Sequence, residues 1–137
     1  MRSLLFVIDA GALINSTSFV FEKENGYLIT SDVDAEIKDL KNRLILQQGI
    51  DEGLVSIPKL KPEFVKKAEE KMRSINSRVS KADISVLAIA LQLKSEKKPF
   101  TVITDDYSIQ NLLLKEKIRF ESVIRGKIKK TVFFRKK

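Results

Sequence analysis

The 137-residue chain contains no cysteine and no histidine. Without thiols there is no disulfide, no cysteine nucleophile and no zinc ribbon within the sequence; without imidazole the commonest general base and metal ligand is missing. No apolar run approaches the ~18 to 20 residues of a membrane span. The N-terminal run, Leu4 to Ile8, is short and ends at Asp9, which makes it a poor signal peptide. These absences lead to the expectation of a soluble, cytoplasmic protein with no membrane partner. Any catalysis must then come from carboxylates, lysines, hydroxyls or a bound ion, and an ion held by oxygen ligands alone is naturally magnesium or manganese.

Acid is missing from one stretch in particular. Residues 125–137, RGKIKKTVFFRKK, hold seven bases (Arg125, Lys127, Lys129, Lys130, Arg135, Lys136 and Lys137) and no Asp or Glu, so residues 1–124 keep only +1 of the chain's net charge of +8. A basic tail on a near-neutral body suits a polyanion, with nucleic acid ahead of a membrane surface because no amphipathic lipid-binding pattern stands out. The plain alternative is a solubilising end. At this length one domain is expected, over residues 1–124 with a tail at 125–137, and no internal repeat or linker interrupts it.

Leu4 to Ile8 has the continuous apolar pattern of a strand buried on both faces of a parallel sheet. Residues 15–26 read as a loop, and Tyr27 to Thr30 as a short apolar piece. Ser31 then looks like the N-cap of a helix running to about Gln48, with Val33, Ile37, Leu40 and Leu44 on one face. Leu54 to Ile57 is a short strand, and Pro62 opens a helix to about Asn76. Ser80 starts a helix that is apolar almost all round from Ile84 to Leu93, the mark of a central buried helix. A strand at Phe100 to Ile103, a helix at Tyr107 to Lys115 and a strand at Arg119 to Val123 complete the order. Strands alternating with helices at this spacing predict an α/β fold, a mostly parallel sheet with helices on both faces, and ligands bind such sheets at the carboxyl ends of the strands.

Several acids lie where that end should be. Asp9 follows the first strand among uncharged neighbours and would be shielded from water, which is costly unless it caps a helix or meets a cation. Glu36, three residues after Val33 and four before Leu40, falls along the expected apolar stripe; snorkelling to water is the ordinary alternative. Asp83 shares a line with Val86, Leu87 and Ala90, while Ser80-x-x-Asp83 is also close to a capping box. Of Asp105 and Asp106, one is expected to cap the following helix and the other to be free for the crevice. Carboxylates brought together repel and raise one another's pKa, and a divalent ion removes the conflict. Such an ion binds substrate phosphates and activates water, which makes a histidine unnecessary.

Asp9 in IDAGALI, Glu36 in VDAEI, Asp83 in SKAD and Asp105-Asp106 in TDDYSIQN, taken in that order, resemble the PIN-domain nucleases. More narrowly, IDAGALI, the Ser-x-x-Asp before Ile84-Ser85-Val86-Leu87-Ala88, and TDDYSIQN look like the Nin-one-binding endonucleases that mature the 3′ end of small-subunit ribosomal RNA. The likeness spans about residues 4 to 124. It implies a PIN-like, Rossmann-like three-layer fold whose acids bind one or two magnesium or manganese ions and hydrolyse single-stranded RNA. Carried over, Asp9, Glu36, Asp83 and Asp105 or Asp106 are the catalytic and metal-site acids, Ser80 and Thr104 are supporting hydroxyls, and pre-ribosomal RNA in the small subunit is the partner. That family usually continues into a zinc ribbon, for which this sequence has no cysteine.

Two other readings share the residues. A toxin of the VapC type has the same fold and acids under the control of an antitoxin. A non-catalytic RNA-binding or ribosome-assembly module would use the tail, with Phe19 and Phe21 either stacking on bases or packing in the core. The sequence is also compatible with a homo-oligomer. If the tail binds RNA, removing residues 125–137 weakens binding and flattens its salt dependence, read as the slope of log affinity against log salt; an unchanged slope would assign the tail another role.

Overall fold

The computed structural model describes residues 4–14, 19–74, 79–124 and 127–130. Its centre is β1 (Leu4–Ile8), the uninterrupted apolar run, paired in parallel with β2 (Asn25–Leu28) on one side and β4 (Thr101–Ile103) on the other. With β3 (Val55–Ser56), β5 (Phe120–Ile124) and β6 (Lys127–Lys130), the sheet has the order β3-β2-β1-β4-β5-β6. All pairings are parallel except β5–β6. The chain builds outward from β1 to β3, then crosses back to begin again at β4. That reversal opens a crevice between β1 and β4, at whose carboxyl end ligands bind in open α/β sheets.

Helices α1 (Ala10–Ile14), α2 (Ser31–Glu36), α3 (Leu40–Asp51), α4 (Pro62–Met72), α5 (Lys81–Ser95) and α6 (Tyr107–Lys115) flank the sheet. The most buried is α5, whose residues Ser85 to Leu93 are all buried, as its all-round apolar sequence requires. Gln92, buried on it, donates to the Lys59 carbonyl and accepts from the Lys61 backbone N–H, which fixes the entry to α4. Pro62 opens α4, where its missing N–H costs nothing.

The single helix expected from Ser31 to Gln48 is two. Thr30, not Ser31, caps α2, its hydroxyl accepting from the Val33 N–H. The first helix ends at Ile37, whose backbone is extended, and Asp39 caps the second by accepting from both the backbone and side-chain nitrogens of Asn42, which hold its carboxyl below the usual range. The break changes the face presented: Val33 and Ile37 are buried, but Leu40 and Leu44 are 73% and 60% exposed. Part of the expected tail belongs to the sheet, since the backbone of residues 127–130 forms the edge strand β6. Removing residues 125–137 would therefore also take away a strand. Arg125, Arg135, Lys136 and Lys137 lie outside the described residues, as does Asn76.

Phe19 is buried and packs edge-on to Phe21 and Tyr27, with centroids 5.1 and 6.3 Å apart, and Tyr27 stacks on Phe6. These rings serve the core, so base stacking by Phe19 and Phe21 is set aside. The cluster leans on Gly49, where an added Cβ would lie 2.7 Å from Val55 Cγ2 and 2.9 Å from the Phe21 ring. Gly49→Ala gains roughly 1 kcal/mol of helix propensity but must displace a β-branched strand residue, an overpacking cost of roughly 1 to 3 kcal/mol. A net loss of stability is expected in urea unfolding; a gain would mean that the Phe21 segment yields without cost.

Candidate active site at the carboxyl end of the sheet

Asp9 is the first residue beyond β1, and its backbone N–H continues the ladder by donating to the Ile103 carbonyl across the crevice (3.0 Å). The residue is only 6% exposed. One oxygen, Oδ2, accepts from the hydroxyl of Thr104 at 2.8 Å. That hydroxyl in turn accepts from the Asp106 N–H at 3.1 Å, so one buried Thr joins the two strand ends. Gln110 on α6 secures the same turn, donating from Nε2 to the Thr104 carbonyl. Nothing in the sequence pattern singles out Gln110, a polar residue on an otherwise amphipathic helix.

Burial pushes the Asp9 carboxyl up to about 6, opposed in part by the Thr104 hydrogen bond, and the charges of Asp83 and Asp106 push it further in the same direction. Three of the expected acids therefore share one electrostatic neighbourhood. Asp83 is placed by a complete capping box: the Ser80 hydroxyl accepts from the Asp83 N–H, and Asp83 Oδ2 accepts from the Ser80 N–H, both at 3.1 Å. Capping uses Oδ2 and leaves Oδ1 outside the box. Asp106 caps α6, with Oδ1 accepting from the Ser108 and Ile109 N–H groups.

The two remaining acids stand differently from expectation. The helix cap and the acid that acts on Asp9 are one residue, Asp106, whereas Asp105, equally exposed, accepts from the Val123 N–H on β5 at 3.0 Å. Glu36 ends α2 and is exposed, because the helix stops there and the chain turns extended at Ile37, so the stripe on which it was placed does not continue. α2 is nevertheless tied to α5 by a buried 2.6 Å hydrogen bond between the Thr30 and Ser85 hydroxyls, a cross-helix contact that short-range patterns do not reveal. Lys127, Lys129 and Lys130 are placed by their backbone alone.

Among the described residues no three acids are gathered closely enough to form a ready-made metal cage. The donor set still fits a hard divalent cation of the magnesium kind, which keeps several waters and takes only one or two carboxylates directly. The principal influences on the Asp9 carboxyl include two acids and no base, a charge balance that a cation would complete.

The ribonuclease PIN-domain family, "PIN domain of ribonuclease", matches residues 6–93. The chain belongs to this family. It is 36% identical over 132 residues to endoribonuclease Nob1 of Methanothermobacter thermautotrophicus, covering 95% of this chain and 75% of that one. Against endoribonuclease Nob1 of Pyrococcus abyssi it is 33% identical over 135 residues, covering 96% and 76%. Ribonuclease VapC1 of Thermoplasma acidophilum is 32% identical over 111 residues, which cover 80% of this PIN-domain chain but 53% of VapC1. The mostly parallel sheet flanked by helices is the PIN-like fold expected from the sequence. Among the described residues no helix is long and apolar enough to cross a membrane.

The site makes a prediction about stability without metal. With a pKa of about 6 when folded against an ordinary 3.8, Asp9 holds its proton more tightly in the folded state, so stability falls as pH rises through that window. Above it the cost is on the order of 2 to 3 kcal/mol. In EDTA at neutral pH, Asp9→Asn should therefore melt higher than wild type, and the difference should vanish near pH 4. A lower melting point for the variant at neutral pH would mean that Asp9 acts mainly as a cap.

Proposed function

We propose that this PIN-domain chain is a divalent-metal-dependent endoribonuclease of the Nob1 type. It hydrolyses phosphodiester bonds of single-stranded RNA in the 3′-end processing of small-subunit ribosomal RNA, in the cytoplasm. The observation that carries this reading is the buried Asp9 carboxylate, raised in pKa and facing the charges of Asp83 and Asp106 at the switch point of a ribonuclease-family fold.

One or two magnesium or manganese ions at Asp9, Asp83 and Asp106 would supply Lewis acidity at the phosphate and an activated water. The chain's own groups keep the acids in place. Thr104 fixes the Asp9 carboxylate by a charge-assisted hydrogen bond, Ser80 orients Asp83, and the first turn of α6 orients Asp106. Ala10 and Ala12 are buried in the core, and Gly11 between them is the partly exposed small residue next to Asp9. Glu36 and Asp105 stand outside the trio; their Gln and Asn variants weigh any part they take in catalysis. The basic residues of the tail supply phosphate contacts, with pre-ribosomal RNA as the partner.

The likeness to VapC1 favours a second reading, a toxin ribonuclease, which a preference for transfer RNA over the ribosomal 3′ region would support. The primary test is cleavage of a single-stranded RNA carrying that region, with magnesium or manganese. Asp9→Asn and Asp83→Asn should each lose more than about a hundredfold in rate while remaining folded, and EDTA should abolish cleavage. Folded variants that cut as fast as wild type would refute the assignment; manganese calorimetry without heat would point to a non-catalytic RNA-binding module.

A further inference from the structure

The opposite end of the sheet carries the opposite charge. There the amino ends of β1, β4 and β5 and the carboxyl ends of α5 and α6 enclose an open groove of about 560 Å³. Around an apolar floor that includes Phe100, it is lined by five bases, Lys94, Lys97, Lys98, Lys117 and Arg119, and by no acid. The neighbouring acids are engaged: Glu96 pairs with Lys61 and Lys98, and Glu116 with Lys71. Lys94 donates to the Glu116 carbonyl. Lys97, Lys117 and Arg119 remain without an acidic partner among the described residues.

Two of these three occupy unusual backbone positions. Lys97 and Lys117 have φ of 60° and 61°, each just past the end of a helix, where glycine or asparagine is the ordinary occupant. Both positions give up the easier backbone residue for a long cation that lines the same groove. The charge of +1 on residues 1–124 thus conceals a separation, acids at the carboxyl ends of the strands and bases at the amino ends.

We propose that this groove is a second RNA site, binding the phosphate backbone of the single strand that flanks the cleavage point. The proposal rests on the ribonuclease reading. The two ends are separated by the five residues of β1, about 17 Å at 3.3 Å per residue, a span that a few nucleotides cover. Phosphates match the unpaired cations and bases match the apolar floor, as in grooves that track single strands without reading sequence. An acidic protein segment is the competing occupant.

The test is fluorescence anisotropy of a labelled single-stranded RNA of about 20 nucleotides, titrated in EDTA over a range of salt, with wild type and the double variant Lys97→Asn/Lys117→Asn. Asparagine tolerates left-handed backbone, so the variant should melt no lower than wild type. Loss of two phosphate contacts should reduce the salt slope by about 1.4 and weaken binding by on the order of tenfold near 100 mM salt. Arg119→Gln, which leaves both left-handed positions alone, should reduce the slope by about half as much. Unchanged RNA affinity and slope in both variants overturn the proposal, as does loss of poly-glutamate binding without loss of RNA binding. Because binding is read without turnover, a loss of binding supports the groove even where no cleavage is found, and cleavage with unaltered binding overturns the groove alone.

Discussion

Thr104 contributes one hydroxyl to this protein, and the acidic end of the sheet is organised around it. The oxygen donates to the Asp9 carboxylate beyond β1 and accepts from the Asp106 backbone beyond β4, closing the crevice at the point where the strand order reverses. It is fully buried, so both bonds lie in surroundings where electrostatic interactions are strong and an unmet polar group is costly. Beside that link, the Asp9–Ile103 backbone bond also holds the two strand ends in register.

The arrangement works against the stability of the metal-free chain. Asp9 is buried, and Asp83 and Asp106 add like charge, so its ionised form at neutral pH is unfavourable. Proteins tolerate such sites where function requires them, and the surrounding structure supplies the restraint. Here the restraint comes from helix caps. Asp83 and Asp106 are each fixed by the backbone N–H groups of a helix start, which stabilises the helix and aims the carboxylate together. Capping and the proposed catalytic role are not competing explanations for these residues; the first secures the geometry on which the second would depend.

The same economy appears in the distribution of charge. Parallel strands send every β-to-α turn to one end of the sheet and every α-to-β turn to the other. Acids favour helix starts and bases favour helix ends, so a parallel α/β domain tends to become acidic at one pole and basic at the other. In this chain the first pole holds the carboxylates around Asp9, and the second holds the groove around Lys97, Lys117 and Arg119. For an enzyme acting on a polyanion, the two poles divide the work of chemistry and of holding the strand.

What the sequence alone determined was local or composed of strong patterns. The run Leu4 to Ile8 read as a strand of a parallel sheet, which it is, although Leu4 is exposed; the apolar circumference of Ile84 to Leu93 read as a buried helix, and Ser80-x-x-Asp83 as close to the capping box it forms. The lack of histidine and cysteine confined any metal chemistry to oxygen ligands before the fold was considered. Tertiary structure decided the rest. Apolar spacing ran on past Ile37, but the backbone turns extended at Ile37 and Asp39, bonded to Asn42, begins a new helix, which left Glu36 exposed at the end of the first. Both members of the Asp105–Asp106 pair are plausible caps by residue type; in the fold Asp105 is bonded to the Val123 N–H on β5, while Asp106 caps α6 and acts on Asp9. A periodic pattern records which face of an element is apolar, whereas the direction of a single carboxylate depends on a hydrogen-bond partner brought near by the fold.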